Sequence, residues 1–138
     1  MKYKLYTIVL KQLAPIHKGV QASHAVAEFM NDYGHKDDVK QWVDVDQTIV
    51  MLESDLDTIE WIYNEYISLE IDGEHIKVSC FHESDLGGLM TAISILVDER
   101  VWDRETYPKY DFLTECEVGT ERNIHRLRCI LSEMHTAR

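Results

Sequence analysis

Residues 4–11, K-L-Y-T-I-V-L-K, form a nearly unbroken apolar run rich in β-branched and aromatic side chains. Such a run is the pattern of a strand buried on both faces, not of a strand with one wet side. It belongs in the centre of a sheet, so the rest of the chain must supply cover above and below it. Pro15 follows closely; it biases its predecessor away from helix and suits the first turn of a helix that starts there.

The next segment supplies one of those covers. Ala22, Ala25, Val26, Phe29, Met30 and Tyr33 recur at the i, i+3, i+4, i+7 spacing of a buried helix face. Lys18, Gln21, His24 and Glu28 are three or four residues apart on the neighbouring face, where their side chains can meet. Gly34 fits a left-handed cap at the end of this helix.

The elements after it keep alternating. Residues 37–46 carry Val39, Trp42 and Val43 in a polar setting that fits either a short helix or an irregular connection. Residues 47–53 read as a strand. Ser54-Asp55-Leu56-Asp57 reads as a helix start with Ser54 as N-cap, and Leu56, Ile59, Ile62, Tyr63 and Tyr66 mark one apolar face. Asp72-Gly73 signals a turn, residues 75–82 alternate as a third strand, and residues 89–97, L-M-T-A-I-S-I-L-V, form a fourth. Residues 101–118 show no clear pattern. A last amphipathic helix carries Ile124, Leu127, Leu131 and Met134, with Arg122, His125, Arg126 and Arg128 on its other, solvated sides. The order β-α-β-α-β-β plus a C-terminal helix predicts a single α/β layered domain, built on a four-stranded mixed sheet.

Composition narrows the function classes. The net charge is −11 at pH 7, yet residues 41–119 hold nineteen acidic and four basic side chains, while both ends are slightly basic. A chain of this balance is a poor nonspecific nucleic-acid binder, because that binding rests on Lys and Arg at phosphates, so any contact with nucleic acid must be local. No apolar run approaches the roughly 18 residues of a membrane span, and a cytoplasmic location is the default expectation. Cys80, Cys116 and Cys129 are odd in number and widely spaced, which predicts reduced thiols in place of disulfides or a zinc site. His75, His82 and Glu83 invite a metal reading, but alternation puts His82 and Glu83 on opposite faces. Gly87-Gly88 lacks the spacing of a phosphate loop and reads as a turn.

The strand K-L-Y-T-I-V-L-K, the segment G-V-Q-A-S-H-A-V-A-E-F, the strand T-I-V-M-L-E and I-K-V-S-C-F-H-E together resemble the type 2 peptidyl-tRNA hydrolase family over about residues 3–97. The most specific part is Gln21-Ala22-Ser23-His24-Ala25, which is similar to the family's Q-x-x-H-A segment; residues 98–138 have no clear counterpart. The resemblance implies a hydrolase that needs neither metal nor cofactor and cleaves the ester joining a peptide or aminoacyl group to the tRNA 3′ ribose. It implies a Lys near the helix start, the helix Gln and an acid ending the third strand. Those positions correspond to Lys18 or the adjacent His17, to Gln21, and to Glu83 where the family has Asp. A carboxylate can orient or deprotonate water, and cationic or amide donors can stabilise the ester oxyanion. His24 and the Thr91 hydroxyl are expected at the substrate. The partner implied is peptidyl-tRNA or the tRNA 3′ end, with no membrane involved. Leu13-Ala14-Pro15-Ile16 and the loop Ser84–Gly88 depart from the family pattern. That departure supports a second expectation: a catalytically inactive module of the same fold that binds a partner or forms a homodimer.

Overall fold

The computed structural model describes residues 1–112 and 119–138. Cys116 lies outside the described residues, as does the end of the unpatterned stretch 101–118. Strand β1 (Tyr3–Leu10) is followed by helix α1 (Pro15–Tyr33), a short helix α2 (Asp37–Gln41) and a π-helical turn over Trp42–Asp46. Strand β2 (Thr48–Ser54), helix α3 (Leu56–Tyr66) and a hairpin of β3 (Glu70–Ile71) and β4 (Glu74–His75) come next. Strands β5 (Val78–Glu83) and β6 (Leu89–Asp98), helix α4 (Glu99–Trp102), helix α5 (Thr120–Ser132) and strand β7 (His135–Thr136) complete the described chain.

The main sheet has the order β5-β6-β1-β2-β7, so β1 is central, as its apolar run predicts. β1 pairs in parallel with β2 and antiparallel with β6, which makes the sheet mixed. Helix α1 covers one face: Leu5 and Leu96 pack with Phe29, Val39 and Trp42, and Val9 and Ala92 pack with Ala22 and Ala25. The opposite face holds the larger cluster, in which Ile8, Leu52, Ile93 and Ile95 meet Ile59 and Ile62 of α3 and Ile124 and Leu127 of α5. Three layers result because a strand with no polar face cannot leave either side to water.

Several local expectations change. Among the described residues the sheet has five strands and not four, since β7 pairs with Leu52 and Glu53 at the edge of β2. The third strand begins later than its alternation indicates. Asp72 and Gly73 both take positive φ and close the β3–β4 hairpin, which uses up Glu74 and His75 before β5 starts. Ser54 is not the cap of α3: it is still paired with Leu10 in the sheet, and the next residue, Asp55, accepts from the Thr58 amide at 2.8 Å. Gly34 is right-handed, with φ −59°, because the chain continues through another turn into α2. Glycine is needed there for space, as an added Cβ would sit 2.5 Å from the Met30 carbonyl oxygen.

The last helix brings the largest correction. Arg128 is not on a solvated side but 1% exposed. Its Nε donates to the Arg100 carbonyl at 2.7 Å and its Nη2 to the Tyr107 carbonyl at 2.6 Å, while Asp111 lies 3.2 Å from Nη1. The guanidinium thus ties α5 to the backbone after β6, and the described residues beyond β6 pack as part of the domain.

Two stability outcomes follow. Asp55→Ala should lower the thermal midpoint measurably while Ser54→Ala leaves it nearly unchanged, the reverse of the ranking the sequence implies. Arg128→Ala removes two charge-assisted hydrogen bonds worth about 1.5 kcal/mol or more each, so urea denaturation should report a loss of about 3 kcal/mol.

Candidate active site at the carboxyl end of the central strand

The C-terminal ends of β1 and β2, the end of β5 and the beginning of β6 meet at one edge of the domain, beneath the first two turns of α1. Ligands of layered α/β sheets favour the carboxyl ends of parallel strands. Lys18 and Gln21, one turn apart on α1, both face inward here and are only 5% and 6% exposed. Their burial follows from the path of the helix: Ala22, Ala25 and Phe29 lock it onto the sheet, and the adjoining stripe rides over β5. On that stripe Gln21 meets Glu83, His24 stacks on Phe81 with centroids 4.3 Å apart, and Ser79 donates to Asp32 at 2.6 Å.

Gln21 is fixed at both ends. Its Nε2 donates to Glu83 Oε2 at 2.8 Å, and its Oε1 accepts from the Thr91 hydroxyl at 2.5 Å. Thr91 reaches Gln21 because of a β-bulge. Phe81 pairs with Ala92 and His82 with Met90, leaving Thr91 as the extra residue opposite neither. Ala92 belongs to the cluster under α1 and Met90 to the cluster on the opposite face, so the bulge lets Thr91 join Ala92 on the α1 side. Bulges of this kind re-aim a side chain beside functional sites.

Glu83 also accepts from the Asp85 amide at 3.3 Å. The Gln21 amide first, then the Asp85 N–H and the nearby His24 hold its carboxyl below the ordinary glutamate value. It is therefore ionised at neutral pH, a better orienter of water than a strong proton acceptor.

Lys18 points to the neighbouring strand end. Its Nζ donates to Glu53 Oε2 at 2.5 Å and to the Arg138 carbonyl at 2.9 Å. The Lys18 hydrogen bond is also the main reason the Glu53 carboxyl is held below its ordinary value. An ammonium has three N–H donors and a primary amide two, and the acceptors among the described residues account for two of Lys18's and one of Gln21's.

Of the residues singled out in the sequence, Gln21, Glu83 and Thr91 form one hydrogen-bonded chain, with Lys18 one helical turn away and His24 exposed at the rim. His17 is exposed, on the outer side of the helix from Lys18. Glu53 and the Arg138 carbonyl were missed. An acid closing the strand T-I-V-M-L-E is a signal for the first; nothing local signals the second, which reaches Lys18 through the β7 pairing. His75 lies in the hairpin with Glu70 at 3.9 Å, and His82 faces the α3 side with Cys80. Among the described residues no three His, Cys, Asp or Glu side chains converge as a metal set. No helix among them is long and apolar enough to cross a membrane.

Comparison of the chain with models of known protein families and with curated proteins finds no match.

A depressed carboxyl contributes stability above the ordinary glutamate value that is lost as the pH falls through its folded value. Gln21→Ala removes the largest cause, so the Glu83 titration midpoint, followed by side-chain carboxyl NMR, should move up. The share of the acid-induced loss of stability that Glu83 contributes should shrink, because the loss still begins at the ordinary glutamate value and the folded value now lies closer to it.

Proposed function

We propose that this chain is a metal-independent esterase of the peptidyl-tRNA hydrolase type, acting on the bond between a peptide or aminoacyl group and the tRNA 3′ ribose. The observation that carries the reading is the doubly anchored Gln21 amide, joined to the Glu83 carboxylate on one side and the Thr91 hydroxyl on the other. Gln21 is the residue type that the resemblance of the sequence implies, and Glu83 supplies a carboxylate where the family has Asp.

The chemistry follows from the donor count. Glu83 holds a water molecule against the ester carbonyl carbon, and the remaining N–H groups of Gln21 and Lys18 stabilise the oxyanion as it forms. Glu83 orients this water and does not keep its proton, which is lost to solvent as the tetrahedral intermediate forms, and the departing ribose oxygen takes a proton from solvent, so no charge is left on the leaving group. His24, stacked flat on Phe81, extends an aromatic surface at the mouth on which a terminal base of the acceptor end can stack. Lys11 and His17, exposed at the same end, give the acidic molecule a local place for phosphate.

A second reading, a binding module without chemistry, is favoured by one observation: Lys18 is already paired with Glu53 and the Arg138 carbonyl. A single assay separates the two. Release of peptide from labelled peptidyl-tRNA should be catalysed by the intact protein, and Glu83→Gln, Gln21→Ala and Lys18→Ala should each reduce it by roughly 100-fold or more, the scale of losing one oxyanion donor. Absence of turnover with the protein in molar excess would remove the esterase and leave the binding module.

A further inference from the structure

A second set of reactive groups lies on the opposite face of the sheet from Gln21 and Glu83, where α5 packs beside α3. His125 and Cys129 are one turn apart on α5. The Nδ1 of His125 is 2.6 Å from the Tyr110 carbonyl oxygen. A carbonyl oxygen can only accept, so Nδ1 carries the hydrogen, and the neutral ring must present its lone pair at Nε2. That nitrogen is 3.6 Å from Cys129 Sγ, in position to accept the thiol hydrogen. Tyr110 is buried, so its backbone is a fixed reference for the ring. Thiol, imidazole and an orienting acceptor on the far ring nitrogen are the three parts of an activated cysteine nucleophile.

The sulfur is exposed and opens onto a groove of about 450 Å³ between the two helices. Trp61, Tyr66, Leu69 and Ile130 form its apolar walls, and Trp61 is 49% exposed although large and aromatic. Among the described residues Glu65 and Glu133 stand at the same groove against one cation, Arg126, which disfavours anionic occupants. The Cys80 thiol on β5 differs: burial pushes its pKa up, and its contact, at 3.9 Å, is with Nδ1 of His82.

We propose that Cys129 and His125 form a nucleophilic dyad that accepts an uncharged apolar acyl group from a thioester, the acyl chain lying in the groove between α3 and α5. The Sγ proton moves to His125 Nε2 as Sγ attacks the thioester carbonyl carbon. The tetrahedral intermediate collapses, the bond from that carbon to the departing sulfur breaks, and the departing thiolate takes the proton from Nε2. One thioester is exchanged for another, leaving S-acylated Cys129 and a free thiol. This activity is independent of the site at Gln21 and Glu83.

The test uses the full chain and the octanoyl thioester of N-acetylcysteamine, a neutral donor, with intact-mass detection and peptide mapping. The expected product carries a single octanoyl group on Cys129, formed at least tenfold faster than on free N-acetylcysteine. Cys129→Ser should abolish it. His125→Ala should slow it at least tenfold with an unchanged circular dichroism spectrum, and added imidazole should restore part of the rate. His125→Asn keeps a donor for the Tyr110 carbonyl at the place of Nδ1 but no base at the sulfur, so it should lose the rate as well and covers the case in which the alanine variant does not fold. Trp61→Ala should slow octanoyl transfer but not acetyl transfer. Acylation falling on Cys80 or Cys116, or a Cys129 rate equal to that of the free thiol and indifferent to His125, overturns the proposal.

Discussion

Burial of β1 on both faces is the constraint from which the architecture follows. Leu5 and Val9 are turned to one side and Ile8 and Leu10 to the other, all essentially removed from water. No single layer can satisfy such a strand, so α1 must cover one face and α3 with α5 the other. The parallel partner β2 must then be reached by a crossover, which α1, α2 and the π-helical turn provide. The five-residue turn ends at Gln47 in a left-handed conformation and is fastened by the Trp42 indole, which donates to the Thr48 carbonyl at 2.8 Å.

The same packing creates the candidate site. Once the small side chains Ala22 and Ala25 bring α1 close to β1 and β6, the adjoining stripe of the helix cannot remain in water. Lys18 and Gln21 are forced against the strand ends, where an unpaired amide or ammonium would carry a desolvation cost of several kcal/mol. Glu53, Glu83 and Thr91 answer that cost with hydrogen bonds. Polar groups are therefore fixed in orientation by the apolar contacts beside them, a preorganisation on which the proposed ester chemistry would draw.

The C-terminal part plays a larger role than its weak pattern indicates. Arg128 reads as one more basic residue on an amphipathic helix, yet it is the buried tie between α5 and the segment following β6. Its place depends on acceptors at Arg100 and Tyr107, 28 and 21 residues upstream. Helical periodicity locates a side chain on a face; it carries no record of backbone carbonyls that fold over that face. The short β7 strand is similar, since its pairing with β2 is set by the edge it meets and not by its own two residues.

Periodicity and turn chemistry in the sequence determined the layered α/β class, the central position of β1, the extent of α1 and the Asp72-Gly73 turn, because each rests on contacts or dihedral preferences local to its segment. The stripe of Lys18, Gln21 and His24 was likewise legible, and Glu83 could be picked out at a strand end. Only the tertiary structure decided which of these groups touch. Strand alternation alone would set Thr91 on the face opposite Ala92; one extra residue in β6 puts both under α1 and closes the chain from Thr91 through Gln21 to Glu83. Whether Lys18 or His17 turns inward, and which acids await it, is set by how α1 is rotated on the sheet, a consequence of side-chain packing summed over the whole interface that no single segment encodes.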